Sequence, residues 1–205
     1  MNIQHIISAG FTAITLIVAT APAHASCVLI GDNCVETTKT QLQIVLNDEL
    51  TDLDLVKQFP LLEELTILET SEFNGIVDLA PLADLGSLSE LTIVNLKVED
   101  LTPVSALTDL RALSLTGVSA PDYAPLASLS DLETLSLNGS NIVDLTPLGD
   151  LDRVWRLSLN GISSEDYSAL QEMDGLQAVF SGPEIATAVL AYNSQDVSSF
   201  VDFVE

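Results

Sequence analysis

Apolar residues return along this chain in a two-part figure. In "LETLSLNG" they fall at Leu132, Leu135 and Leu137, so the last two alternate around Ser136 with the spacing of a strand. In "NIVDLTPL", at 141–148, Ile142, Leu145 and Leu148 are set among Asp144 and Pro147, which is the chemistry of a chain reversal. Neither the helix period nor the strand period spans both parts, so each figure predicts a short strand followed by a tight return. Full copies start at Leu62 ("LEELTILE"), Leu88 ("LSELTIVN"), Leu110 ("LRALSLTG"), Leu132 and Val154 ("VWRLSLNG"), at intervals of 26, 22, 22 and 22 residues. A degraded copy, "LQAVFSG", follows at Leu176, and "TQLQIVLN" upstream places Leu42 and Ile44 where the first full copy has Leu65 and Ile67. A fixed period in the low twenties predicts a solenoid in which each turn buries its apolar edge on its neighbours.

The second half of each copy carries its own column. An aspartate recurs at Asp78, Asp100, Asp122, Asp144 and Asp166, and a proline three residues later at Pro81, Pro103, Pro125 and Pro147, with Ala169 in the fifth copy. Aspartate ahead of a proline of fixed φ is the start of a short helical turn, which makes these five aspartates structural caps. The combination L-x-x-L-x-L followed by I/L-x-D-L-x-P-L resembles the leucine-rich repeat, in the 22-residue form of bacterial internalins. The resemblance covers about residues 39–182. It implies an α/β solenoid, a right-handed superhelix with a parallel concave β-sheet and short helical or 3-10 turns on its convex side. One departure stands out. The family places an Asn three residues after the last strand leucine, and here that position holds Thr70, Leu96, Val118, Ser140 and Ile162. Either the backbone groups between turns are satisfied differently or the turns are less regular. The first copy also has four extra residues around "SEFNGIV", which predicts a bulged loop after its strand.

Between the inward leucines lie the outward positions of the sheet. They form a hydroxyl column of Thr66, Thr92, Ser114, Ser136 and Ser158, ending at Phe180, beside a column of Glu64, Glu90, Ala112, Thr134 and Arg156. A third column reads Leu68, Val94, Thr116, Asn138 and Asn160. Small hydroxyls make an open face that can accept a protein or a glycan, though they are also ordinary strand formers. "DRVWRLSL" interrupts the monotony by bringing the single tryptophan, Trp155, beside Arg153 and Arg156. Trp and Arg dominate binding hot spots, so the candidate binding residues are Glu64, Thr66, Glu90, Thr92, Ser114, Thr134, Ser136, Trp155, Arg156 and Ser158. The alternative for Trp155 is packing over the neighbouring turn beside Arg111 or Gln177.

The ends change the picture of where the protein works. No Asp, Glu, Lys or Arg precedes Asp32, Ile6 to Ala21 is largely apolar, and Ala23-His24-Ala25 has the small-x-small form of a signal-peptidase site. Residues 1–25 therefore read as a signal peptide; an uncleaved anchor, or a lipid on Cys27, is the competing reading. Export gives a secreted, periplasmic or cell-surface location, and there the only two cysteines, Cys27 and Cys34, are expected to form a disulfide. They fall in residues 26–38, read as the N-terminal cap. After Gly182-Pro183 the apolar spacing turns helical, and 183–205 read as a C-terminal helical cap. Cleavage would leave no membrane insertion.

Charge and missing chemistry narrow the function. With 30 acidic against 6 basic residues, the net charge is −24, which excludes a nucleic-acid partner. Both histidines, His5 and His24, lie in the expected signal peptide, so the mature chain has no Ser-His-Asp or Cys-His nucleophile and no ordinary zinc ligand set. Carboxylates remain. Neighbouring members of the aspartate column would sit near the ~5 Å that retaining glycosidases use, and could offer oxygens to Ca²⁺. A residue repeated in every turn is better explained by what every turn needs. The expectation is a binding module without catalytic, cofactor or metal residues, recognising a protein or a glycan through its sheet. The rivals are a structural envelope component and a carboxylate-dependent hydrolase.

Overall fold

The computed structural model describes residues 27–30, 33–47, 50–69, 75–164 and 166–180. The expected signal peptide at 1–25, the loop inserted at 70–74 and the C-terminal cap at 183–205 lie outside the described residues.

Eleven strands occur in the described chain: β1 (Cys27–Ile30), β2 (Asn33–Glu36), β3 (Gln41–Leu46), β4 (Glu64–Glu69), β5 (Ile76–Val77), β6 (Glu90–Val94), β7 (Lys97–Val98), β8 (Ala112–Thr116), β9 (Thr134–Ser136), β10 (Arg156–Ser158) and β11 (Ala178–Phe180). Seven of them form one parallel sheet in the order β3-β4-β6-β8-β9-β10-β11. Parallel neighbours that follow each other in sequence need a crossover each time, and here the crossover is a short extended segment and a 3-10 turn. The register is the one the leucines dictate. Leu42 pairs with Leu65, and Leu65 with Leu91, Leu113, Leu135, Leu157 and Val179 in succession. The worn upstream copy and the degraded last copy are thus true rungs of the sheet.

Behind the sheet the strand leucines meet the apolar residues of the returns in one continuous core, with Leu65, Ile67, Leu82, Leu91, Ile93, Leu113, Leu115, Leu126, Leu135, Leu137 and Leu148 all buried. Each such side chain contributes roughly 1.5–3 kcal/mol on leaving water, and no single turn could bury its own set. The returns are 3-10 turns at Asp54–Gln58, Ala80–Asp84, Thr102–Ala106, Ala124–Ser128, Thr146–Leu148 and Ser168–Gln171. A third wall is started by β5 and β7, which pair in parallel, and is extended by a bridge from Lys97 to Ser119.

From the second full copy on, the chain leaves the strand through a residue in the left-handed region: Asn95 (φ 58°), Gly117 (65°), Gly139 (64°) and Gly161 (71°). That turn points the backbone N–H at the next rung, so Asn95 donates to Thr116 O (2.8 Å), Gly117 to Asn138 O (2.7 Å) and Gly139 to Asn160 O (2.7 Å). Here lies the answer to the missing asparagine. Leu96, Val118 and Ser140, at the place where the family has Asn, are buried. Asn141, one residue further on, bonds across a turn instead, its Oδ1 accepting from Ala120 N–H (3.0 Å) and its Nδ2 donating to Ala120 O (3.1 Å). The Tyr123 hydroxyl lies 2.9 Å from both that Oδ1 and Val118 O, and burial pushes its phenol above the usual range. One turn later, Ser164 Oγ donates to Val143 O at 2.6 Å. The inter-turn groups are satisfied by local devices rather than by one repeated amide.

At the N-terminal end, β1 and β2 form an antiparallel hairpin, with Cys27 bonded to Cys34 across it at a Cα separation of 5.5 Å. Val35 of the hairpin is buried and Val28 packs against the core, so this element meets the open end of the solenoid.

Candidate functional site

The strand register stacks the outward side chains into straight columns. Thr66, Thr92, Ser114, Ser136 and Ser158 occupy successive rungs, as do Glu64, Glu90, Ala112, Thr134 and Arg156. The hydroxyls, Glu64 and Thr134 are half-buried; Glu90 and Arg156 are exposed. Small side chains therefore line the floor, with the longer charged ones at its two ends.

Part of the floor is tied together. Ser114 Oγ and Thr116 Oγ1 are 3.2 Å apart along β8. Further on, Asn138 Oδ1 accepts from Ser158 Oγ (2.7 Å) and from the Asn160 N–H (2.8 Å), joining the fourth and fifth copies across the face. These bonds tie Thr116 to Ser114 and β9 to β10 on this face.

Trp155 does not stand on that floor. It has the same parity as Leu157, and sits just ahead of β10, where its N–H donates to Glu133 O (3.0 Å) and its carbonyl accepts from Gln177 N–H (2.9 Å). The side chain is 40% exposed, so it forms a rim to the sheet, in a column with Arg111, Glu133 and Gln177. Gln177 and Glu133 are its neighbours on the adjacent rungs, Arg111 stands two rungs away, and the side chain keeps a large open surface. Two ion pairs dress the same rim. Arg153 Nη1 is 2.6 Å from Asp131 Oδ1, and Arg111 Nη1 is 3.4 Å from Glu133 Oε1. All four side chains are well exposed, which makes these pairs organisers of the rim more than sources of stability.

The aspartate column lies on the opposite side. Each Oδ1 accepts the backbone N–H two residues on: Asp78 from Ala80 (2.8 Å), Asp100 from Thr102 (2.7 Å), Asp122 from Ala124 (2.8 Å), Asp144 from Thr146 (2.9 Å) and Asp166 from Ser168 (2.8 Å). The donor is the first residue of each 3-10 turn, and the prolines occupy the second position in the four turns that carry them. Hydrogen bonding from the Thr102 and Thr146 hydroxyls and backbones holds Asp100 and Asp144 below the usual carboxylate range, and the Ser168 backbone and hydroxyl do the same for Asp166. A sixth member escaped sequence reading. Asp52 Oδ1 accepts from Asp54 N–H at 3.1 Å ahead of the first turn. "TDLDLV" shares the Asp-Leu pair of three other copies and lacks the proline, so the pair was the signal that could have found it.

Asp144 and Asp166 also border an open groove of about 600 Å³ between the last two turns, with Val143, Thr146, Ser164 and Ser168. Their carboxylates already serve their own turns. Among the described residues no three His, Cys, Asp or Glu side chains converge as a metal set.

Comparison with solved structures places this geometry. Internalin inlF from Listeria monocytogenes superposes with a TM-score of 0.61 at 23% identity, over 73% of this chain and 45% of that one. Internalin C2 (inlC2) from the same organism gives 0.56 at 27% identity, over 65% of this chain and 57% of that one. The plant peptide hormone receptor RGFR1, in complex with RGF2, gives 0.50 at 16%, over 72% of this chain and 27% of that one. This chain thus spans about half the length of the internalins it matches. No protein-family model and no curated protein matches the sequence.

Proposed function

Taking the chain as a leucine-rich-repeat solenoid of internalin-like build, we propose that it is an exported binding module that recognises a protein ligand on its concave sheet. The observation that carries this reading is the face itself. Five strands in one register, β4, β6, β8, β9 and β10, present a column of small outward hydroxyls, tied by hydrogen bonds along β8 and between β9 and β10 and bordered by an exposed Trp and three arginines. A face held rigid by its own hydrogen bonds loses little conformational entropy on docking. The Asp column, by contrast, is occupied with turn formation, which supports binding over carboxylate catalysis.

Export is supported by the apolar stretch ending in Ala23-His24-Ala25 and by the Cys27–Cys34 bond, since such bonds persist in oxidising compartments. Intact mass checks it: the mature chain should begin at Ser26 and lose two hydrogens to the disulfide. A retained Met1, or a lipid on Cys27, would replace export as a free protein with anchoring.

Affinity capture from the secreted or periplasmic proteome of the source organism tests the binding itself. The native chain should retain a protein that Ser136→Arg, which plants a long side chain in the middle of the floor, no longer retains at unchanged melting temperature. Capture that survives both Ser136→Arg and Thr92→Arg would put the ligand elsewhere. Recovery of nothing but the chain itself would favour a structural envelope component.

A further inference from the structure

The floor of the sheet is polarised along the solenoid axis. Glu64 and Glu90 are direct partners on adjacent rungs of β4 and β6, while Arg156 is the base of the same column, three rungs beyond Glu90 on β10. Like charges directly opposite each other destabilise a sheet, and at a rung spacing of about 4.8 Å these two carboxylates stack. Solubility does not require them, because Thr66 and Thr92 fill the next column on the same two rungs. Three rungs separate Glu90 from Arg156 by about 14 Å, the length of four extended residues.

We propose that the concave face takes an extended protein segment lying along the solenoid axis, with a basic side chain over Glu64 and Glu90 and a carboxylate four residues away over Arg156. This rests on the concave face being the binding face. The net charge of −24 would draw any cationic partner, and Arg156 beside Trp155 is what turns a general attraction into a choice of spacing.

Trp155 is the single tryptophan, so its fluorescence reports the β10 end directly. Four capped, Trp-free peptides of equal length serve as probes: Lys and Asp four residues apart, Lys and Asp adjacent, two Lys, and two Asp. The first should perturb Trp155 at a concentration at least fivefold lower than the others. Arg156→Glu should shift the preference to the two-Lys peptide and Glu90→Lys to the two-Asp peptide, with melting temperatures kept. The inference is overturned if the native chain prefers two Lys, if either substitution leaves the order unchanged, or if no peptide binds. Should Ser136→Arg abolish capture of a partner while Glu90→Lys and Arg156→Glu retain it, the binding face stands and the charge-spaced segment alone falls.

Discussion

Trp155 and Gly139 show how differently two residues of neighbouring copies are employed. Trp155 keeps 40% of its surface open at the rim of a floor made of Ser and Thr, side chains too small to supply much area each. An aromatic of that size can bury up to about 250 Å², and the arginines beside it suit carboxylate or carbonyl groups. Trp155→Ala is therefore expected to weaken a captured complex by about 2 kcal/mol, with Ser136→Ala changing it little. A melting temperature that drops while affinity holds would assign Trp155 to packing instead. Gly139 works through its backbone. Its φ of 64° is a conformation that L side chains rarely adopt, and a Cβ there would meet only Gly117 atoms at 3.9 Å, so strain rather than collision sets the penalty. Gly139→Ala should cost on the order of 1 kcal/mol in urea unfolding, whereas Gly86→Ala, with open space and no such φ, should be neutral or slightly stabilising.

At the scale of the element, the repeating unit is a strand, a left-handed turn and a 3-10 turn opened by an aspartate. The carboxylate fixes the entry to that turn by accepting the N–H of its first residue, and the proline behind it holds φ. Because Asp100, Asp144 and Asp166 have folded pKa values below the ordinary 3.8, their contribution is fully present above that pH and is lost as pH falls through the lower folded values. Asparagine at all three keeps an acceptor oxygen and cannot titrate. The melting temperature of the native chain relative to this triple variant should hold steady from pH 7 to 5 and fall below about pH 3.8. A difference that stays constant down to pH 2 would mean that ionisation of these aspartates contributes nothing to the turns.

For the whole molecule the dominant fact is a charge of −24 on a stack of thin turns. The exposed aspartates of successive turns lie one above another, so each added turn adds like charge beside its neighbour. Screening should matter more here than in a balanced protein. The melting temperature is expected to rise steadily between 10 mM and 500 mM NaCl, as the screening length drops from ~30 Å to a few ångströms. No change over that range would show that the core outweighs the surface field throughout.

The sequence by itself determined the sheet. Leucines at a 22-residue interval can be buried only if successive copies stack in one register, so Leu91 had to pair with Leu113 and the outward columns followed from parity. It also located the aspartates, because Asp followed by Pro has a local meaning that needs no tertiary context. What only the tertiary structure decided was how turns are joined and where the sheet stops. The column of Asn95, Gly117, Gly139 and Gly161 is aligned by the repeat but mixes two residue types, and only the backbone shows that all four adopt the left-handed conformation. Asn141 reaches Ala120 from 21 residues away, a bond that no spacing rule announces, since it depends on how far one turn slides over the next. Trp155 moved from a possible floor position to the rim for the same reason. A strand in sequence has no edge, and its edge is set by the last backbone groups that find a partner on the neighbouring rung.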